Sequence, residues 1–368
     1  MITRLARVAG VTGVVVLATA AVTAAPASAH PNANAYIEHK LVSDLKSQHA
    51  DITDSSLQNP WGLAQAPQGT PAWVANNGTN VATLYQGAAG APGPFAKRPL
   101  TVNIPGDGPT GQVFNSTSGF VVTDGKGNSG PALFIFDSES GDITGWNPNV
   151  PPPMFSTQAF VGKHVDNAIY KGLALATVGT NSFLYAANFH QGTIDVFDST
   201  FTPTKLSGSF TDPNLPTNFA PFNIALVNGQ LYVSYAQQDA GKEDEVDGFG
   251  RGLVDVFDTS GNFVKRLITS GHLNAPWGMT MAPSGFGKFS GDLLVGNFGN
   301  GRIHAYDATT GEFKGTVKDV DQNPIVIPGL WGLMFGNGTS AGPKTLLFSA
   351  GIDHEAHGLF GEITFANV

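Results

Sequence analysis

Apolar and polar residues alternate along most of the chain in short runs, and each run stops at glycine, proline, asparagine or aspartate. Phe134-Ile135-Phe136-Asp137, Ile194-Asp195-Val196-Phe197-Asp198, Val254-Asp255-Val256-Phe257-Asp258 and Ile303-His304-Ala305-Tyr306-Asp307 share one pattern, an alternation that ends in an acid. A period of two turns successive side chains to opposite faces, so these segments read as strands. A second set is apolar throughout and ends in asparagine: Ala72-Trp73-Val74-Ala75-Asn76, Leu184-Tyr185-Ala186-Ala187-Asn188 and Leu293-Leu294-Val295-Gly296-Asn297. Short apolar runs between turn residues read as strands covered on both faces. Beyond the first thirty residues helical periodicity is nearly absent, with one short turn expected in residues 43–52.

The strands recur as a unit. Each unit opens on a Trp-Gly pair or a variant of it: Pro60-Trp61-Gly62-Leu63, Pro276-Trp277-Gly278-Met279, Leu330-Trp331-Gly332-Leu333, with weaker copies at Gly119, Gly172 and Asn223. Aligned on Gly62, Gly119, Gly172, Asn223, Gly278 and Gly332, the spacings are 57, 53, 51, 55 and 54 residues. Four strands per unit and six units predict an all-β, six-bladed β-propeller with four-stranded blades. The last unit runs out after its third strand, at residues 361–365. The extended residues 37–42 are placed to supply the missing outer strand and close the ring.

The first residues follow a different rule. Arg4 and Arg7 precede an uncharged, alanine-rich run, and Ala27-Ser28-Ala29 gives a small-x-small cleavage pattern. Residues 1–29 therefore read as a secretory signal peptide and residues 30–368 as one propeller domain, secreted and extracellular, with no membrane association after cleavage. Cleavage would expose His30 as the N-terminus; an amine next to an imidazole can chelate copper.

Composition narrows the function classes. Of 368 residues only 13% are charged, and the formal net charge is −9, which lacks the basic footprint of a nucleic-acid binder. The absence of cysteine removes disulfides, thiolate metal sites and thiol nucleophiles. Gly106-Asp107-Gly108-Pro109-Thr110-Gly111 matches a dinucleotide glycine pattern, but no helix start follows to receive a pyrophosphate, so it reads as a loop. No Gly-x-Ser-x-Gly elbow occurs.

The segments NPWGLA (59–64), VANNGT (74–79), PTGQVFN (109–115), YKGLALA (170–176), APFNIAL (220–226), NAPWGM (274–279), LLVGNFGNGRI (293–303) and GLWGLMFGNG (329–338) resemble an uncharacterised family of exported bacterial β-propellers. The units are also distantly similar to NHL repeats. That resemblance implies a propeller fold and, in the wider group, soluble ligand-binding proteins, lyases and gluconolactonase-type hydrolases. It assigns no activity here, because fold kinship does not set chemistry. In the lactonase-like group a metal-binding Glu begins the first inner strand; here Asn59-Pro60-Trp61 stands there.

Topology selects a face. Loops entering the first strand of a blade and loops joining its second and third strands lie on one side of a propeller. That side gathers Asn59, Trp61, Asn76, Asn77, Asn115, Lys171, Asn188, His190, Asn223, Gln237, Trp277, Asn297, Trp331, Asp353 and His354. The innermost runs, such as Val121-Val122, Leu173-Ala174-Leu175 and Met279-Thr280-Met281, carry no charge. Chemistry is therefore expected on the rim. Trp61, Asn76, Asn188, His190, Trp277, Asn297 and Trp331 are the candidate rim for a small molecule, glycan or protein ligand. A metal-dependent hydrolase or lyase is the alternative reading, with calcium or zinc held by Asn188, His190, Asp353 and His354; a structural surface or matrix protein is a third. The acidic run Lys242–Gly248 and the turn Asp137–Asp142 read as a solvated loop and a hairpin.

Overall fold

The computed structural model describes residues 35–366; the stretch read as a signal peptide and His30 lie outside the described residues. Six antiparallel sheets stand around an axis as blades 1 to 6. Their innermost strands are Pro60–Ala64, Pro109–Phe114, Tyr170–Val178, Phe219–Val227, Pro276–Met281 and Leu330–Phe335. The one turn expected between residues 43 and 52 is a short 3-10 helix, Lys46–Gln48. Because both faces of each blade are covered by neighbours, core clusters lie between blades. Between blades 1 and 2, Trp73 stacks on Phe134 at 4.1 Å, with Trp146 at 4.7 Å.

The ring closes as the sequence suggests. Tyr36–Ser43 pairs antiparallel with His357–Phe365, from Tyr36 opposite Phe365 to Ser43 opposite Leu359, with a bulge at Leu41. Ile52–Thr53 adds a short parallel strand outside it. Blade 3 departs from the four-strand expectation and has three strands among the described residues, Tyr170–Val178, Asn181–Asn188 and Thr193–Phe197. The segment that follows contains Pro203, Pro213 and Pro216, which cannot donate to a ladder, and only a single bridge, Phe197 to Pro203, forms.

The second repeat also needs correction. Val121–Thr123 is not an inner strand; it forms a separate hairpin with Ser129–Pro131. The inner strand is Pro109–Phe114, and Gly111 takes the place assigned to Gly119. The six equivalent positions are then Gly62, Gly111, Gly172, Asn223, Gly278 and Gly332, with spacings of 49, 61, 51, 55 and 54 residues. At these positions the inner strands of neighbouring blades approach one another closely. A Cβ on Gly62 would lie 2.4 Å from the Thr110 carbonyl, one on Gly111 2.4 Å from the Leu173 nitrogen, and one on Gly332 2.6 Å from the Trp61 carbonyl. Asn223 fits because it is used: its Nδ2 donates to the Trp277 carbonyl at 2.7 Å, bridging to the next blade.

Asp137 anchors this ring from behind. Its Oδ1 accepts from the Gly111 amide at 2.6 Å and the Thr110 hydroxyl at 2.9 Å. Its Oδ2 has no partner among the described residues. Burial pushes its pKa up to about 7, against the hydrogen bonds from Thr110 and Gly111. The folded state thus holds this proton more tightly than the unfolded chain. The resulting stability is fully present below about pH 4 and is lost as pH rises through about 7. Asp137→Asn is expected to remove that share, so urea unfolding at about pH 5 and about pH 8.5 should show a smaller loss in the variant. The difference between the two proteins should be on the order of a few kcal/mol; equal losses would show that Asp137 is ionised throughout.

Candidate functional site

One residue before the ring, the inner strands carry Trp61, Thr110, Lys171, Phe222, Trp277 and Trp331. The three tryptophans meet on the axis. Trp61 and Trp331 stack at 3.4 Å, and Trp277 stands edge-on to both at 6.0 and 5.7 Å. Phe298 stacks on the far face of Trp331 at 4.1 Å. The Trp331 indole donates to Asn59 Oδ1 at 3.1 Å and the Trp277 indole to the Lys171 carbonyl at 2.8 Å. This aromatic plug closes the axial channel at the face that gathers the strand-one and strand-two-to-three loops.

Lys171 occupies the aromatic column in blade 3, and its side chain is only 1% exposed. Its Nζ donates to Glu139 at 2.5 Å and Asp244 at 3.3 Å, and sits 5.3 Å from the Trp61 ring centre. Four blades supply this surround. Glu139 comes from the blade 2 hairpin, Asp244 and Glu245 from the acidic loop of blade 4, and Glu355 from blade 6. Trp61 and Asn59, from blade 1, complete it. Asn59 Nδ2 donates to Glu355 at 2.8 Å, and Asn77 Nδ2 donates to the second oxygen of Glu139 at 2.9 Å.

Burial alone would lower the Lys171 pKa, but the charges of Glu139 and Glu245 outweigh it, so the ammonium is held above its ordinary range. Burial lifts Glu245 to about 8, against the pull of Lys171, and lifts Glu355 as well. Asp353, His354 and Glu355 all have left-handed backbone, with φ of 53, 55 and 65°. Three consecutive non-glycine residues there are costly, and the conformation delivers Glu355 to Asn59. Beside Glu139 opens a cavity of about 400 Å³ lined by Asn77, Gly78, Asp107, Gly108, Glu139 and Ser140.

Two uncharacterised proteins of Acanthamoeba polyphaga mimivirus are similar to this chain. One is 33% identical over 329 residues, spanning 88% of this chain and 78% of its own length. The other is 34% identical over 325 residues, spanning 84% and 81%. The chain belongs to their family. No family model matches it. Among solved structures, the alpha-L-arabinofuranosidase of Fusarium graminearum with arabinobiose has a TM-score of 0.53 at 11% identity, covering 89% of this chain and 98% of that one. The soluble aldose sugar dehydrogenase of Escherichia coli has a TM-score of 0.51 at 10% identity, covering 89% and 99%. Likeness at such identity speaks for the propeller fold.

In this family member the residues expected on the rim divide into two groups. Trp61, Trp277 and Trp331 come together, but as the buried plug rather than as an open stacking surface. Asn76, Asn188 and Asn297 are wholly buried. Asn76 Nδ2 holds Val81 and Thr83, Asn188 Nδ2 donates to Asp195 at 2.9 Å, and Asn297 Nδ2 donates to the His272 carbonyl at 2.8 Å. These amides pin their loops. The expected metal ligands are not gathered. Asn188 is spent on Asp195, and His190 Nδ1 lies 3.2 Å from the Lys242 carbonyl. Asp353 and His354 are exposed on their left-handed turn. Among the described residues no group of three or more His, Asp or Glu is placed to hold a metal ion.

Lys171 lies on the expected face, outside the candidate rim set, and one signal in the sequence marks its central place. Lys171 stands in the column that holds Trp61, Trp277 and Trp331, where a lysine is out of keeping with its neighbours. Glu139 and Glu245 carry no such signal. Each lies in a loop whose composition fits a solvated turn, and only the closure of the ring brings the loops over one point.

Proposed function

We propose that this protein is an exported ligand-binding propeller whose ligand docks on the rim beside Lys171. The observation that supports this reading is the lysine itself: an ammonium 1% exposed, clamped by Glu139 and surrounded by carboxyls from three blades, next to a cavity that shares Glu139. Burying such a group among ionisable partners contributes little to stability, and perturbed groups of this kind concentrate at functional sites. The carboxylates outnumber the one cation, so the site offers hydrogen-bond acceptors. The ligand class is therefore a small molecule rich in donors, bearing hydroxyl or ammonium groups.

A second reading is catalytic: hydrolysis or elimination assisted by Glu245 as a proton donor. It is favoured by Glu245, whose carboxyl burial pushes up to about 8 in the surround of Lys171, a value suited to giving up a proton near neutral pH.

Both readings place the ligand at the same point. The mature chain recovered from culture medium, beginning at His30, would be titrated calorimetrically with neutral sugars, polyols and polyamines. Glu139→Gln should weaken the binding member by about tenfold or more, as loss of a charged hydrogen bond does. Turnover lost in Glu245→Gln with binding retained would select the catalytic reading. Binding by no member, or binding indifferent to both substitutions, would overturn the rim site.

A further inference from the structure

The opposite face holds a different kind of space. Beyond the glycine ring the inner strands diverge around a cavity of about 580 Å³, with Trp277 at its closed end. That volume lies within the usual range of small-molecule sites, roughly 300–1,000 Å³. The tryptophan plug makes the channel blind, so it has one mouth, on the side away from Lys171.

We propose that this blind channel is a second binding site, for an uncharged, largely hydrocarbon small molecule carrying a neutral hydrogen-bonding group. Its wall includes Leu63, Val113, Leu175, Leu226, Met279 and Met334, one from each of the six blades, with Gln65, Gln112 and Asn223 as polar members, and no charged side chain lines it. Leu226 is 44% exposed, and Val113, Leu175 and Met334 are partly exposed. Apolar side chains from separate strands thus leave part of their surface on this open space while their other sides pack between the blades, and covering the exposed part is favourable by about 25 cal/mol per Å². The two methionines are unbranched and adapt to an irregular guest. Each inner strand pairs with one neighbour only, so its other edge turns backbone N–H and C=O groups toward the axis. Those groups can meet a hydroxyl or carbonyl. An ionised ligand would find no counter-charge among the lining residues and would be desolvated without compensation. The charge-free wall therefore selects against fatty carboxylates and for alcohols or ketones on a hydrocarbon frame.

The test uses the mature full-length protein and the uncharged fluorophore N-phenyl-1-naphthylamine. Saturable enhancement at one probe per chain, displaced by dodecanol at least tenfold better than by ionised dodecanoate, is expected. Leu226→Glu, at the exposed mouth, should weaken probe binding about tenfold or more while the near-ultraviolet circular dichroism stays native. Phe155→Ser, on a separate exposed apolar loop where Phe155 is 62% exposed, should leave it unchanged. Absence of saturable binding to the wild-type protein, displacement by dodecanoate equal to that by dodecanol, or loss of binding in Phe155→Ser but not in Leu226→Glu would overturn the proposal.

Discussion

Gly111→Ala is expected to destabilise the protein by on the order of 3 kcal/mol or more, the upper range for overpacking a close-packed interior. Two of the added Cβ's three nearest atoms are backbone: the Leu173 nitrogen at 2.4 Å and a Gly172 carbon at 2.9 Å, with Asp137 Oδ1 at 2.8 Å. Backbone atoms in adjacent strands cannot swing aside as a flexible side chain can. Moving blade 3 outward would disturb its contact with blade 4, where Gly172 meets the side chain and Cα of Asn223. A closed ring therefore resists the relaxation that an open sheet allows. Gly241→Ala is the control: its Cβ would meet only the Asp239 and Glu243 side chains, none nearer than 3.5 Å, and a change within about 0.5 kcal/mol is expected. Urea unfolding of both variants measures the contrast. A Gly111→Ala protein as stable as the control would show that the ring is looser than these distances imply.

Trp331→Ala should cost about 3–5 kcal/mol, the range for removing a large aromatic side chain from a core. Trp331 is fully buried and touches Trp61 and Phe298 on its two faces and Trp277 at its edge. The vacancy would sit on the axis, where six blades hold the neighbours apart and collapse is hindered. Trp331→Phe keeps part of the stack but loses the indole donor to Asn59 Oδ1, so a smaller loss of about 1–2 kcal/mol is expected. Asn59 also holds Glu355, which makes the effect reach the charged rim. Denaturant unfolding gives the stabilities, and a ligand titration on the folded fraction reads the rim. Equal stabilities of the two variants would mean that the hydrogen bond, rather than the aromatic volume, carries Trp331's contribution.

The repeat made the architecture legible, because blade stacking demands the same alternation in each unit and a glycine at the close approach in five of the six, with Asn223 in the other. It misled where a unit was altered. The insertion after Pro109–Phe114 placed a glycine at 119 that mimics the period, while the true equivalent, Gly111, stands eight residues earlier in PTGQVFN. The rim was legible as a face but not as a site. Asparagines at strand ends announce polarity equally well whether they bind a ligand or tie a loop, and Asn188 and Asn297 tie loops. The partners of Lys171 come from 32 and 73 residues away, a juxtaposition set by ring closure and carried by no local pattern.

The pairing of Tyr36–Ser43 with His357–Phe365 also sets an order of events. The first strand of the described chain has its partner only after more than three hundred further residues have been made. Blades 1 to 5 can assemble as they emerge, but the ring is latched last. Contacts of such long sequence separation form slowly. Until then Tyr36–Ser43 is an unpaired edge, free to join another chain. A product truncated before His357 would keep that edge permanently, which makes the His357–Phe365 strand a checkpoint for completion of the ring.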